Sequence, residues 1–299
     1  PIRDGYIYAP DKPGIGAELD WELIGEAVTA TAVRLFDFRC RGKAAGKKGR
    51  TNMNELEGRI GIVTGASSGI GYAIANVLAE SGAVVYAISR TGAVKEGLPP
   101  SAGGVIHVKG DVTNAGEINA SISSIAADSG LDFIVNNAGI TKKHRAQQFP
   151  IEEFRDIMEV NVTSLFTLSQ ICYPYLTESR FKGRIINISS MAAHLGFTEV
   201  VPYCTSKAAV CGLTRGLAVE WANDNICVNS IAPGWFPSEM SKQVMTPERK
   251  AAILTRMPVH AFGDPRDLGE MAKFLLSDHA RYITGQDFAV DGGALAYGY

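Results

Sequence analysis

The chain has 299 residues, 46% of them hydrophobic, and a formal net charge of −2. This length supports one large hydrophobic core, and the nearly balanced charge excludes a general electrostatic preference for nucleic acid or membrane surfaces. No uninterrupted apolar run is long enough to span a membrane. From the charge and the absence of such a run, we expect neither a nucleic-acid nor a membrane partner.

The numbers and spacing of the cysteines and histidines bear on disulfide bonds, cellular compartment and metal binding. The five cysteines are odd in number and include no C-x-x-C pair, which favours a reducing compartment, the cytoplasm, over a disulfide framework. The histidines stand apart in the sequence without metal-ligand spacing, so we expect each to be a surface or packed residue and expect no metal site; they are His107, His144, His194, His260 and His279.

The first 52 residues differ in character from the rest. Residues 1–20 are rich in Gly and Pro, residues 21–36 fit one amphipathic helix, and residues 39–50 carry six basic side chains and no acid. We interpret the basic tract as a linker, since a nucleic-acid arm would interleave aromatic residues. Residues 5–20 resemble the closing segment of sugar-acid dehydratases of the enolase superfamily. We therefore hypothesise that residues 1–52 are read-through from a neighbouring gene, with Met53 as the natural start; an authentic extension is the alternative.

A glycine-rich turn opens the remaining chain. The run 59–63 is typical of a buried strand, and the segment after Ile70 places apolar side chains on one helical face. Between them lies T-G-A-S-S-G-I-G, residues 64–71. The N-terminus of a helix presents unpaired N–H groups to a pyrophosphate, and a side chain at Gly65, Gly69 or Gly71 would hold the phosphates or the strand away. The turn predicts a nucleotide site, with a purely structural turn as the alternative.

Strands and helices then alternate. Strands are predicted at 83–88, 105–108 and 131–135, with a helix at 117–127. This order predicts a parallel sheet with helices on both faces and ligand sites at the carboxyl ends of the strands. Polar residues after each strand are candidates for such sites, although they are also ordinary turn residues: Ser89 and Arg90, Asp111 and Val112, and Asn136 to Gly139.

The second half adds a Tyr/Lys pair. Helices are predicted at 154–176 and 203–222, and strands at 183–188 and 226–231. Tyr203 and Lys207 lie one turn apart, which brings a phenol and an ammonium together, and Ser190 follows the strand before them. Asn161 lies inside the first helix, where a helix former would be ordinary. Taken alone, Ser190 and Asn161 are equally well explained as caps or satisfied polar residues.

These motifs together resemble the short-chain dehydrogenase/reductase family over residues 54–299: residues 64–71, N-N-A-G at 136–139, Asn161, Ser190, Y-x-x-x-K at 203–207, P-G at 233–234 and V-D-G-G at 290–293. The resemblance implies an α/β fold, a single-domain Rossmann domain at 53–299 with a doubly wound parallel sheet of about seven strands, the last at 286–290, following a non-homologous N-terminal extension. It implies hydride transfer between a nicotinamide cofactor and a small carbonyl or alcohol substrate, without a metal.

The resemblance assigns roles to named residues. Tyr203 supplies the proton, Ser190 holds the substrate oxygen, Lys207 favours the phenolate and grips the ribose, and Asn161 seats a water. Residues 233–240 and the helix at 246–257 correspond to a mobile substrate loop. The residues implied to bind cofactor are Gly65, Ser67, Ser68, Gly69, Ile70, Ser89, Arg90, Asp111, Val112, Asn137, Ala138, Gly139, Tyr203, Lys207, Pro233, Gly234, Phe236 and Ser238.

The cofactor is expected to be NADP(H), with NAD(H) left open. Family members that prefer NAD usually place an acid at the end of the second strand, whereas this chain has Ser89 followed by Arg90, whose guanidinium suits a phosphate.

Substrate and assembly stay more open. A sugar or sugar-acid dehydrogenase is favoured over a 3-oxoacyl thioester reductase, because the loop 235–240 has no obvious basic surface for a carrier protein. A non-catalytic nucleotide sensor is disfavoured, because both Tyr203 and Lys207 are retained. Small residues at Ala208, Gly212 and Gly216 either pack on the sheet or form a two-fold helix interface in a homodimer or homotetramer.

Overall fold

The computed structural model describes residues 55–237 and 246–298, together with two short N-terminal strands, Ile2–Arg3 and Tyr6–Ile7, which pair antiparallel. The chain divides into two compact units, Pro1–Thr51 and Asn52–Tyr299. The helix at 21–36, the basic tract at 39–50 and the start at Met53 lie outside the described residues. The read-through origin, the likeness to a dehydratase and the assignment of residues 53–299 as the catalytic domain stay predictions.

Seven strands form the sheet of the second unit. They are β1 (Ile60–Thr64), β2 (Val84–Ser89), β3 (Val105–Lys109), β4 (Phe133–Asn136), β5 (Gly183–Ile188), β6 (Ile226–Pro233) and β7 (Asp287–Val290). Their spatial order is β3-β2-β1-β4-β5-β6-β7, and every neighbouring pair is parallel. The order reverses between β1 and β4, and such a switch point opens a ligand crevice at the carboxyl ends of the strands. The predicted Rossmann-type sheet is confirmed.

The helices cover both faces of this sheet. They are α1 (Gly69–Glu80), α2 (Ala115–Ser129), α3 (Ile151–Met158), α4 (Ser164–Thr177), α5 (Val201–Glu220), α6 (Pro247–Arg256), α7 (Pro265–Leu276) and α8 (Ala294–Tyr297). The predicted and observed ends of α2, α5 and α6 differ by at most two residues, whereas α7 and α8 were not predicted from the sequence. Among the described residues, no helix is both long and apolar enough to cross a bilayer.

One predicted helix is interrupted. The run predicted at 154–176 is α3 and α4 joined by a π-helical segment, Glu159–Thr163. A π segment inserts an extra residue into the helical ladder, and such insertions are frequent at functional sites. Asn161 lies inside this segment and is buried.

Two apolar clusters flank the sheet because neighbouring strand residues point to opposite faces. Val63 belongs to the cluster beneath α1 and α7, and Ile62 to the cluster beneath α2, α4 and α5. Burial of Ile74 and Leu78 confirms the predicted inner face of α1. Packing on both faces of the sheet therefore holds in place the carboxyl ends of the strands, where the ligand crevice opens.

Candidate active site

A cavity of ≈ 940 Å³ lies at the carboxyl ends of the strands. Ser190, Tyr203 and Lys207 line it, whereas Asn161 lies behind its wall. Ser238 lies outside the described residues. Every other residue implied to bind cofactor lines the cavity, so the structure brings the set together: Gly65, Ser67, Ser68, Gly69, Ile70, Ser89, Arg90, Asp111, Val112, Asn137, Ala138, Gly139, Tyr203, Lys207, Pro233, Gly234 and Phe236.

The glycine turn is held against the end of β4 by the side chains of Asn137 and Thr64. The Asn137 Nδ2 donates to the carbonyl oxygens of Thr64 and Gly65, at 2.9 and 3.3 Å. The Thr64 Oγ1 accepts from the backbone N–H groups of Asn137 and Ala138. The sequence assigned Asn137 to cofactor contact, but its side-chain amide joins the two strand ends that form the crevice.

The glycines are required sterically. Gly65 has a φ of +65°, in the left-handed region that favours glycine. A Cβ added at Gly71 would lie 2.4 Å from Asn137 Nδ2 and 2.6 Å from the Gly65 carbonyl oxygen. Ser68 precedes α1 without capping it through its side chain. The first N–H groups of α1 therefore face a turn that is shaped to admit a phosphate group.

Polar groups from β2 and β3 form one end of the cavity. Ser89 is buried, and its Oγ accepts from Gly92 N at 3.1 Å and lies 3.3 Å from Thr91 Oγ1. The side chain of Arg90 is exposed at the cavity wall. Hydrogen bonds from Thr113 hold the pKa of the Asp111 carboxyl below its ordinary value, and the Arg90 charge adds to this. The end of β2 therefore carries the basic Arg90, and it lacks the acidic residue that would repel a 2′-phosphate.

The catalytic candidates meet between β5 and α5. Ser190 and Tyr203 both line the cavity, and the Ser190 hydroxyl acts on Tyr203 to lower the pKa of its phenol. The Lys207 Nζ donates to the Ile188 carbonyl oxygen at 2.7 Å and lies 5.6 Å from the centroid of the Tyr203 ring. The phenol and ammonium are therefore on one helix face, as predicted, but the ammonium hydrogen-bonds to the end of β5.

The pKa of Tyr203 is raised in this structure, whereas the sequence predicted that Lys207 would lower it. Burial raises the pKa of the Tyr203 phenol, and the Ser190 hydroxyl only partly opposes this. Burial also lowers the pKa of Lys207 to about 8, because the charged ammonium loses hydration. Tyr203 is thus held as the neutral phenol, the form that can donate a proton.

Asn161 supports the cavity wall through its side chain. Its Oδ1 accepts from Ile140 N at 2.8 Å, and its Nδ2 donates to Ile140 O and Ser206 Oγ, each at 3.0 Å. Both amide hydrogens are used, which leaves one Oδ1 lone pair. A Cβ added at Gly139 would lie 3.2 Å from this oxygen. The predicted role of Asn161 in seating a water stays a prediction.

Sequence reasoning missed several residues at the other end of the cavity. Lys143 and Arg249 line it, and the Lys143 Nζ is paired with Glu199 Oε2 at 2.9 Å. Phe197 and Trp235 meet edge to face, 6.2 Å between ring centroids. Lys143 follows β4 in an irregular segment, so neither hydrophobic periodicity nor a sequence motif indicated its role. The structure thus adds two cations and two aromatic side chains to the cavity that Tyr203 lines.

Comparisons with known proteins find reductases similar in sequence to most of this chain. A family model described as enoyl-(acyl carrier protein) reductase matches residues 65–294. The 3-oxoacyl-[acyl-carrier-protein] reductase FabG of Vibrio cholerae is 40% identical over 243 residues, covering 80% of this chain and 98% of that protein. The 5-keto-D-gluconate 5-reductase of Escherichia coli K12 is 38% identical over 246 residues, covering 80% and 96%.

A solved structure matches at the level of fold and sequence. The putative NAD(P)-dependent gluconate 5-dehydrogenase of Beutenbergia cavernae, solved with bound NADP, has a TM-score of 0.75 and is 37% identical, with 82% of this chain and 99% of that chain covered.

Proposed function

We propose that this chain, which belongs to the short-chain dehydrogenase/reductase family, is an NADP(H)-dependent oxidoreductase that interconverts a secondary alcohol and a ketone on a small carboxylated sugar. The observation that carries the substrate proposal is the presence of Lys143 and Arg249 in the same cavity as Tyr203. The cofactor proposal rests on Ser89 and Arg90.

The residues present fit a dinucleotide. The turn around Gly65 leaves room for phosphates at the start of α1, and Arg90 offers a planar guanidinium at the far end of the same cavity. When bound, the nicotinamide supplies or accepts the hydride. The NADP in the Beutenbergia cavernae structure supports the same choice here.

The chain's own residues handle the proton and the oxygen. In the reductive direction the Tyr203 phenol donates its proton to the substrate oxygen, while Ser190 donates a hydrogen bond to that oxygen as negative charge develops. Lys207 is tied to the Ile188 carbonyl and stabilises the resulting phenolate by its charge. Asn161 holds the backbone of Ile140, and with it the adjacent wall, in place.

The substrate end suits a carboxylate on a polar chain. Lys143 is 41% exposed and Glu199 34%, so the ion pair is accessible to a competing carboxylate. Glu199 also interacts with the charges of Arg145 and Arg249, which lower the pKa of its carboxyl after the larger effect of Lys143. A substrate carboxylate entering this group of cations would be bound by charge-assisted hydrogen bonds.

A 3-oxoacyl thioester on a carrier protein is the second candidate. It is favoured by α6, on which Lys250 and Arg256 are exposed and Arg249 is partly buried. A basic helix beside the cavity suits an acidic carrier. The two candidates therefore depend on different cations: Lys143 inside the cavity for the sugar acid, and Lys250 with Arg256 outside it for the carrier.

Substitution of Lys143 separates these candidates. We expect Lys143→Met to raise the KM for a hexonate about 10-fold or more, from the loss of one charge-assisted contact, and to leave the KM for the matching alditol unchanged. Lys142→Met is the matched control, because Lys142 is exposed and adjacent but does not line the cavity. An unchanged hexonate KM in Lys143→Met, together with loss of carrier-linked activity in Lys250→Ala/Arg256→Ala, would transfer the proposal to the acyl thioester.

Self-association is proposed from α5. Ala208, Gly212 and Gly216 are exposed, and an added Cβ at either glycine meets open space, which removes the alternative that this face packs on the sheet. Val219 is also exposed on the same helix. We propose a homodimer or homotetramer whose two-fold axis passes beside this face. Gly212→Arg should shift the light-scattering mass of the chain downward, and a wild-type monomer at micromolar concentration would refute the interface.

The cytoplasm is the proposed location. Cys172, Cys204, Cys211 and Cys227 are free thiols in the described part of the chain. Free thiols are typical of a reducing compartment. Fractionation of cells expressing the chain tests this, and recovery in an oxidising compartment would contradict it.

A further inference from the structure

Three donor atoms of different chemistry converge behind the catalytic serine. His194 follows the short 3-10 turn Met191–Ala193, Cys211 lies on α5, and Asp287 begins β7. Their ligand atoms, an imidazole nitrogen, a thiol sulfur and a carboxylate oxygen, all lie within 4.8 Å of one another. The hydride chemistry described above uses none of these three side chains.

The carboxylate of Asp287 is held in one orientation by two buried hydroxyls. Ser189 Oγ and Ser230 Oγ each donate to Asp287 Oδ1 at 2.6 Å. The other oxygen, Oδ2, lies 2.6 Å from His194 Nε2 and 3.4 Å from Cys211 Sγ. Hydroxyl support on one carboxylate oxygen with the second oxygen directed at other donors is the arrangement that orients ligands in protein metal sites.

We propose that His194, Cys211 and Asp287 bind one zinc-class divalent cation, with water as the fourth ligand. In a tetrahedral site with metal–ligand bonds of about 2.0–2.3 Å, ligand atoms lie roughly 3.3–3.6 Å apart. The Cys211–Asp287 separation already has this value. The His194–Asp287 separation must widen by about 0.7 Å to match it. A histidine that is 43% exposed can make this movement.

The donor set selects the cation. A thiolate and an imidazole favour Zn²⁺ and similar borderline-soft ions, whereas Mg²⁺ and Ca²⁺ require oxygen ligands. On binding, Cys211 coordinates as the thiolate and releases its proton to solvent. The exposed side of His194 provides the route for the ion and the position for the water.

The site would brace the catalytic region. Ser189, which supports Asp287, precedes Ser190, and Cys211 lies one turn beyond Lys207 on α5. A cation held by all three ligands would therefore link the end of β5, the start of β7 and the catalytic helix. Because it binds the folded chain, it should raise the melting temperature by about 5–10 °C at a hundredfold excess over its dissociation constant.

Cobalt is the most informative probe. The reduced, metal-free full chain should bind one equivalent of Co²⁺ with a near-ultraviolet thiolate-to-cobalt charge-transfer band, and Zn²⁺ should abolish this band by displacement. Cys211→Ser should remove the band. Cys227→Ser is the matched control, since Cys227 is also buried, its thiol donates to the Arg281 carbonyl oxygen at 3.6 Å, and it is not one of the three proposed ligands.

A second variant tests the site independently, in case Cys211→Ser does not fold. The exposed His194→Ala should lose the zinc-induced rise in melting temperature, whereas His279→Ala, another exposed histidine, should keep it. Absence of the charge-transfer band in the wild-type chain would overturn the proposal. A band that persists in Cys211→Ser would also overturn it, because the thiolate would then come from another cysteine. In either case the cluster is a hydrogen-bonded network only.

Discussion

Replacing Arg90 with alanine should weaken the use of NADPH and leave the use of NADH almost unchanged. The guanidinium extends from the residue after β2 to the cavity wall and is exposed there. Among the described residues it acts on Asp111 through its charge. It is therefore accessible to a 2′-phosphate without first breaking a buried network.

The magnitude follows from one charge-assisted contact. Such a contact contributes about 1.5–3 kcal/mol, which corresponds to roughly 10- to 150-fold in kcat/KM for NADPH. Ser89→Asp combined with Arg90→Ala should go further and reverse the preference, because a carboxylate at the end of β2 repels the phosphate and binds the ribose diol. Loss of the Ser89 Oγ contact to Gly92 N adds a local cost that affects both cofactors equally.

The assay compares kcat/KM for NADPH and NADH in the wild type, Arg90→Ala and the double variant. Arg155→Ala is the matched control, since it removes an exposed guanidinium that pairs with Glu152 on α3 and does not line the cavity. Equal loss with both cofactors, or a wild type that already favours NADH, would refute the placement of the phosphate beside Arg90.

Three further outcomes are expected. Tyr203→Phe should reduce turnover by at least about 100-fold while cofactor binding, followed by fluorescence, persists; near-normal turnover would remove Tyr203 as the acid. The pH profile of kcat/KM for reduction should fall above about pH 8, as Lys207 loses the proton that its lowered pKa holds weakly, and a profile flat to pH 10 would contradict this. Gly71→Ala should lower the urea-unfolding free energy by about 1–3 kcal/mol because its Cβ meets Asn137 and the Gly65 carbonyl; Gly103→Ala, with open space around it, is the control.

The sheet could be predicted because each buried strand is a short run rich in β-branched residues followed by turn residues. Parallel strands end at one edge, so placing β1, β2 and β4 was enough to bring Gly65, Ser89 and Asn137 together. The π segment could not be predicted, because inserting one residue barely changes the apolar period. The polar Asn161 at a helix-interior position was the one available signal.

Side-chain contacts between residues far apart in the sequence could not be predicted either. His194 and Asp287 are 93 positions apart, and Cys211 and Asp287 are 76 apart, so no metal-ligand spacing connects them. The pKa of Tyr203 was predicted in the wrong direction because sequence places Lys207 one turn away but does not reveal its bond to Ile188 or the burial of the phenol.

The most direct test of the proposed function is a substrate comparison with the purified full-length chain, following nicotinamide absorbance. The panel contains hexonates and their keto acids, the alditols of the same carbon number, and 3-oxoacyl thioesters. We expect the highest kcat/KM for a carboxylated sugar, with NADP(H) preferred over NAD(H). A higher kcat/KM for a 3-oxoacyl thioester, or for an alditol over its matching hexonate, would contradict it.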